Sequence, residues 1–312
     1  MNPYERIAKE TRKQVSVLSR QQEREVLKLY DGAVKGITEK IAKSKSGSLN
    51  ERWLKDNLKE IKKARNELNR ELNKSIRGFT TKAAKEGIEG NIKALGLTLN
   101  TVNIKVDSSF SGVFSSVQQN IVNDIIKGNL YKDDKTLSNR IWNHGKEFEE
   151  DIQYTINQAI LQKKSAKELA QDLDKYLLEP AKRGAGWGAT YTRLINKRAT
   201  YNSQRLAQTS INHAYQNATV QSCSMNPFVE GILWQSVLLD VPYRTCELCA
   251  ERDGVIFAVE DVPLDHPNGW CTMIPSIEKS LDEVAQELRD WLDGSDNEKL
   301  DNWYEKYGEH FI

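Results

Sequence analysis

A mainly α-helical chain with one small β region near its C-terminus is predicted by three features of the sequence. Apolar residues recur at three- and four-residue steps from Tyr4 to about Ala42, and again in several stretches between Trp53 and Ser222. Helix breakers are sparse, with Gly 18 and Pro 7 in 312 residues. Strand formers cluster only after Pro227. The length is about twice a ~150-residue domain, so roughly two units can each bury a core.

The first element follows from Val26, Leu29, Ala33, Ile37 and Ile41, which lie on one face of an amphipathic helix. Ser44-Lys45-Ser46-Gly47-Ser48 interrupts the pattern, and Trp53, Leu54, Leu58, Ile61, Ala64, Leu68, Leu72 and Ile76 resume it. A helical hairpin or coiled coil is expected. Arg65 and Asn69 break the apolar seam, so packing on a neighbouring element is favoured over a self-sufficient coiled coil. Leu97 to Val106 alternates apolar and polar residues, which predicts a short strand or extended crossing and a boundary there. Residues 1–100 are thus read as a basic helical N-terminal arm.

A helical middle segment, 101–225, follows. It begins near Ser111 with Val113, Val117, Ile121, Ile125 and Ile126, and continues through Thr136 to Lys163. Ser165 and Glu168 have capping-box spacing, which starts a helix at Ala166 that ends before Pro180. Lys182-Arg183-Gly184-Ala185-Gly186-Trp187-Gly188 comes after a helix and lacks a Gly-Lys-Ser/Thr ending. It is therefore a hinge rather than a phosphate loop. A helix from about Tyr191 to Ser222 closes the segment.

In the β region, 226–277, Gly231 to Leu239 reads as a strand, and Asp253-Gly254 before Val255 to Val259 as a hairpin turn with its return strand. Residues 278–312 are acidic, with an amphipathic helix from Ser280 to Leu292 carried by Leu281, Val284, Ala285, Leu288 and Leu292.

Composition excludes several classes. With 38% hydrophobic and 29% charged residues, the chain is neither fibrous nor low-complexity. It has no apolar run long enough to span a membrane, and Met1 to Arg6 carries charge where an export signal would be apolar. Its cysteines, Cys223, Cys246, Cys249 and Cys271, are too few for a disulfide scaffold and suit reduced thiols or metal ligation, with assembly in the cytosol. The 45 basic and 44 acidic residues are unevenly placed: residues 1–100 sum to about +10, 101–280 to about −2 and 281–312 to about −7. The basic third can face nucleic acid, without sequence preference, or an acidic protein partner; a solvated helical surface has the same charge.

The sharpest chemical signal is Cys246-Glu247-Leu248-Cys249, then sixteen residues, then His266-Pro267-Asn268-Gly269-Trp270-Cys271. Two thiolates from one tight turn can take adjacent tetrahedral positions, and a returning hairpin brings His266 and Cys271 to the other two. Three thiolates and one imidazole fill the shell, so zinc bound by Cys246, Cys249, His266 and Cys271 would be structural, with no open position for a reactive water. Metal-free buried cysteines and a redox Cys-x-x-Cys use the same residues, although the βαβ context of the latter is missing. His144, His213 and His310 stand alone and receive no chemistry. Cys223 reads as a small buried hydrophobe. Trp142, Trp187 and Trp234 read as core anchors rather than base-stacking platforms. No zinc-deaminase, HExxH or Gly-x-Ser-x-Gly motif is present, and no catalytic residue is assigned.

Trp234 through the Cys-x-x-Cys, Asp253-Gly254-Val255-Ile256-Phe257, and Asp265-His266-Pro267-Asn268-Gly269-Trp270-Cys271-Thr272-Met273-Ile274-Pro275 together resemble the C-terminal motif of tailed-phage minor head proteins, the Mu F-like or head morphogenesis family. Thr136 to Trp142, the Ser165 helix and Arg205-Leu206-Ala207-Gln208-Thr209-Ser210 fall in the same order as in that family, so the resemblance covers about residues 105–277. Members often carry Ala-Arg-Thr-Glu where this chain has Ala207-Gln208-Thr209-Ser210, which leaves any charge contact of the family there unsupported. Many also end His-Pro-Asn-Cys-Arg-Cys, whereas Gly269-Trp270 here precedes a single Cys271, so the last ligand falls to Cys271. The resemblance implies a non-enzymatic, low-copy minor capsid protein inside the virion, made in the host cytoplasm. It would bind the portal protein, with scaffold or major capsid protein as further partners, and would aid procapsid assembly and DNA packaging or ejection. The rival classes are a DNA-binding protein and a nuclease or toxin-like effector carrying the same module. Only about 35 residues follow Pro275, well short of the ~100-residue domain mode an appended enzyme would need.

Overall fold

The computed structural model describes residues 3–43, 51–105, 110–165, 168–169, 171–173, 198–236, 246–267 and 269–310. The chain is mainly helical, with a small three-stranded antiparallel sheet near the C-terminus followed by further helix. In order come α1 (Pro3–Lys43), α2 (Glu51–Asn100), α3 (Phe110–Lys127), α4 (Leu137–Leu161), α5 (Arg198–Cys223), β1 (Gly231–Gln235), α6 (Glu247–Arg252), β2 (Ile256–Phe257), β3 (Thr272–Ser276), α7 (Leu281–Leu292) and α8 (Glu298–Tyr307). No described helix is long and apolar enough to cross a membrane. The predicted hinge at 182–188, Trp187 and the first turns of the predicted 191–222 helix lie outside the described residues, as does the strand predicted beyond Ser236.

Contacts divide the chain into two compact units that interleave along the sequence. One contains residues 1–19, 79–125 and 209–312, and the other 20–78 and 126–208. Both long helices contribute to both units. Within each unit α1 and α2 run antiparallel, as the predicted hairpin requires. Tyr4 Oη meets Thr98 Oγ1 at 2.6 Å in the first unit, and Gln22 Nε2 donates to Ser75 Oγ at 3.3 Å in the second. The Lys40–Glu60 ion pair joins the same two helices again in the second unit.

The second unit is built on the apolar stripe read from the sequence. Val26, Tyr30, Val34, Ile37 and Ile41 of α1 meet Ile61, Leu68, Leu72 and Ile76 of α2 and Leu137, Ile141, Phe148, Ile152 and Ile156 of α4 in one buried cluster. The two breaks in the α2 seam face α4. Arg65 Nη1 donates to Glu149 Oε2 at 2.5 Å, and the Asn69 amide occupies the space over Gly145. Thr136 caps α4 by accepting from the Asn139 N–H at 3.1 Å. Ser165 and Glu168 form the expected reciprocal cap. Trp142 corrects its assignment as a core anchor: it is half exposed on α4, where Lys146 lies over its ring.

In the first unit the predicted strand at Leu97–Val106 is not formed. α2 continues to Asn100, Leu99 is buried by its helical position, and the chain leaves through a turn in which Asn103 has positive φ. Helical burial of Leu95 and Leu99, four residues apart, overrides the local alternation. The sheet has the order β2-β1-β3, with Ile232 opposite both Phe257 and Pro275. Pro275 is tolerated because β3 is an edge strand. The return strand is present but short, and it is reached through α6 and Gly254, whose φ of +78° suits glycine. Ser280 and Glu283 cap α7 reciprocally, and the acidic tail turns at Gly294 (φ +100°) into the additional helix α8. Trp303 Nε1 of α8 donates to the Met225 carbonyl at 2.9 Å.

Gly87 marks where α2 and α5 touch: an added Cβ would lie 2.7 Å from the Tyr215 carbonyl oxygen and 3.1 Å from the Thr219 nitrogen. Gly78, in the same helix, has nothing within 4 Å of that position. Thermal denaturation of the two alanine variants should therefore split in sign. Gly78→Ala should stabilise by up to about 1 kcal/mol through helix propensity. Gly87→Ala should destabilise by about 1–3 kcal/mol, because backbone must move. Equal shifts would refute the close helix approach.

Candidate metal centre

The centre assembles from two short pieces of the first unit. Cys246 is the N-cap of α6, and its Sγ accepts the Cys249 N–H at 3.4 Å. This knuckle turns Cys246 and Cys249 toward the same point, and Cys246 is exposed while Cys249 is buried. The return of the chain through residues 263–271 delivers Asp265, His266 and Cys271 to that point.

Cys246, Cys249 and His266 offer ligand atoms all within 4.8 Å of one another, and Cys249, Asp265 and Cys271 form a second such triad. Each predicted ligand falls in one of the two triads, which share Cys249, but the four do not form a single group: Cys271 is grouped with Asp265 rather than with Cys246 and His266. Cys249 Sγ and Cys271 Sγ lie 3.5 Å apart. A disulfide would need about 2.05 Å. Metal–thiolate bonds of about 2.3 Å place two sulfurs of a tetrahedron about 3.8 Å apart. The pair is thus not a disulfide; its separation is that of a thiol–thiol hydrogen bond and is slightly shorter than that of two thiolates on one ion. Cys246 is exposed and His266 half-buried, whereas Cys249 and Cys271 are buried. His266 Nδ1 lies 3.0 Å from the Pro267 carbonyl. Donation there leaves the lone pair on Nε2, the arrangement a metal-binding imidazole needs. These residues can hold a metal ion.

Burial governs the electrostatics. Desolvation pushes both the Cys249 and Cys271 thiols above their ordinary range, and the nearby Asp265 carboxylate adds to the shift of each. Two crowded, buried thiols ionise together only when a cation is supplied. The Trp234 indole N–H is buried near Cys271 without a hydrogen-bond partner among the described residues. Ser236 ties the site to the sheet: its hydroxyl donates to the Cys249 carbonyl at 2.5 Å and its N–H to Asp253 Oδ1 at 2.7 Å.

Asp265, which the spacing argument passed over, organises the closing loop. Oδ1 accepts the His266 N–H at 2.8 Å and Oδ2 the Cys271 N–H at 3.2 Å. Its carboxylate occupies the space where a Cβ on Gly269 would sit, at 2.2–2.3 Å. That contact explains a glycine before Trp270.

Helix α5 holds the loop from behind through residues that sequence reasoning also missed. Asn212 Nδ2 donates to the Gly269 carbonyl, and His213 Nε2 donates to the Asp265 carbonyl at 3.0 Å. Gln216 donates to the Pro263 carbonyl at 2.7 Å and accepts from the Asp265 N–H at 3.0 Å. A signal for them exists: Leu206 to Val229 contains no Asp, Glu, Lys or Arg in a chain that is 29% charged. A long polar but uncharged helix satisfies buried backbone rather than water. Cys223 stays outside the cluster, buried beside Asn91, its thiol pushed up to about 12 by desolvation. His144 and His310 also lie outside both triads. No family model, no curated protein and no solved structure matches the chain.

Proposed function

We propose that this chain is a non-enzymatic minor head protein of a tailed-phage particle, with one structural zinc ion held by Cys246, Cys249, His266 and Cys271. The observation that carries the reading is the union of motif pieces that the family resemblance takes in order. The helix bearing Arg205 to Ser210 runs on into α5 residues that grip the loop from Pro263 to Gly269, and that loop closes on the Cys-x-x-Cys turn. Bound zinc would act as a cross-link with no open position, joining α6 to a loop attached to a sheet too small to be stable alone. The chain's own residues orient the ligands: Asp265 and Ser236 fix backbone, and α5 holds the loop.

In this role the protein works inside the virion at the portal vertex, after assembly in the host cytoplasm, with scaffold or major capsid protein as further contacts. The excess of about ten positive charges on residues 1–100 supports non-specific contact with packaged DNA. Quantitative mass spectrometry of purified particles, counting this chain against the major capsid protein, tests the reading. A few copies per particle are expected. Absence from both procapsids and virions would refute it and bring forward the DNA-binding or effector classes.

A further inference from the structure

Arg12 of α1 is the most deeply buried cation beside the metal centre, at 8% exposure, and it has no carboxylate hydrogen-bonded to it among the described residues. Its Nη1 donates to Asn212 Oδ1 at 2.9 Å, while Nη2 has no hydrogen-bond partner among the described residues. Its Cζ lies 5.3 Å from the Tyr215 ring centre and 4.9 Å from that of Trp270, the residue immediately before Cys271. Burial disfavours its charged form, and the Asp265 carboxylate of the ligand loop is the nearby anion that offsets this. A guanidinium cannot escape burial by losing its proton. An uncompensated buried charge costs several kcal/mol, so its placement needs a negative partner.

The cluster can supply that partner. A dication bound by three thiolates and a neutral imidazole carries one net negative charge, and Asp265 beside it adds a second. Asn212 joins the two sites through one side chain: Oδ1 accepts from Arg12 and Nδ2 donates to the Gly269 carbonyl of the ligand loop. Trp270 joins them again, packed on Arg12 and bonded to the ligand Cys271.

We infer that Arg12 is the counter-charge and positioning residue of the metal centre, so that metal binding at the C-terminal loop and docking of the first turns of α1 stabilise each other. This rests on the metal reading proposed above. Coupling free energies are reciprocal: whatever Arg12 adds to metal affinity, the bound metal adds to the docking of α1. The N-terminal helix and the metal loop, more than two hundred residues apart in sequence, thereby form one cooperative element.

The test uses the full chain and Co²⁺ as a spectroscopic probe, with affinity measured by chelator competition. Arg12→Gln, which keeps a hydrogen-bonding side chain but removes the charge, should bind about ten- to hundredfold more weakly, as for other outer-shell partners. Arg12→Lys, which keeps the charge but not the planar fork, should recover most of that loss. A purely structural role predicts the reverse order. In the wild type, chelation should reduce hydrogen-exchange protection of residues 3–19 at least tenfold, a measurement that needs no variant to fold. If the wild type takes up no cobalt, the metal reading fails and the coupling with it. If cobalt binds with thiolate charge-transfer bands but Arg12→Gln matches the wild type, or protection of residues 3–19 is unchanged by chelation, the metal reading stands and the coupling is overturned.

Discussion

Cys249→Ser is expected to abolish metal binding and to lower the melting temperature by roughly 8–16 °C. Cys249 belongs to both ligand triads, so no arrangement of the remaining groups replaces it. An ion present at a thousand times its dissociation constant adds about 4 kcal/mol to the folded state, and each kcal/mol is worth about 2–4 °C in a chain of this class. The serine side chain is nearly the same size, which keeps any cavity cost small. Elemental analysis and calorimetry check the claim together. Chelated wild type should melt where the variant melts, and Cys223→Ser, which alters a buried cysteine outside the triads, should keep its metal. Full metal content in Cys249→Ser, or a wild-type melting temperature indifferent to chelator, would rule out the centre.

Gly269→Ala should disrupt the same site without touching a ligand. The added methyl would sit 2.2–2.3 Å from the Asp265 carboxylate atoms, so that carboxylate must leave the two N–H groups it accepts. Hydrogen bonds to a charged group contribute about 1.5–3 kcal/mol each. Loss of both should lower stability by about 3–6 kcal/mol and weaken metal binding, because Cys271 and His266 are the residues whose backbone Asp265 fixes. Asp265→Ala should destabilise similarly, and the double variant should cost little more than either single one. Additive losses in urea denaturation would show that Gly269 acts through something other than Asp265.

The helices and the meeting of the Cys-x-x-Cys turn with the closing loop were legible because each depends on local spacing. Val26 to Ile41 and Ile61 to Ile76 mark buried faces by period alone. Cys246-x-x-Cys249 specifies a knuckle in four residues, and Ser165 with Glu168 specifies a helix start in the same span. The alternation from Leu97 to Val106 misled because a two-residue period in a short stretch carries less weight than burial of Leu95 and Leu99 on a helix already formed. Trp142 misled because a large aromatic residue carries no local mark of which helix face meets the core. Asp265 was visible next to His266, but its task is to accept two backbone N–H groups, and no spacing rule for metal ligands includes that.

By itself, the sequence determined that the chain is mainly helical, that its small β region carries the Cys-x-x-Cys and the closing His and Cys, and that its basic and acidic ends are opposed. These are properties of neighbours along the chain. Tertiary structure alone decided that each unit is built from segments distant in sequence, that Asn212, His213 and Gln216 hold the closing loop, and that Arg12 lies buried against it. The physical reason is that a buried charge or carbonyl is satisfied by whatever group packing brings within 3 Å, and separation along the chain places no limit on that partner.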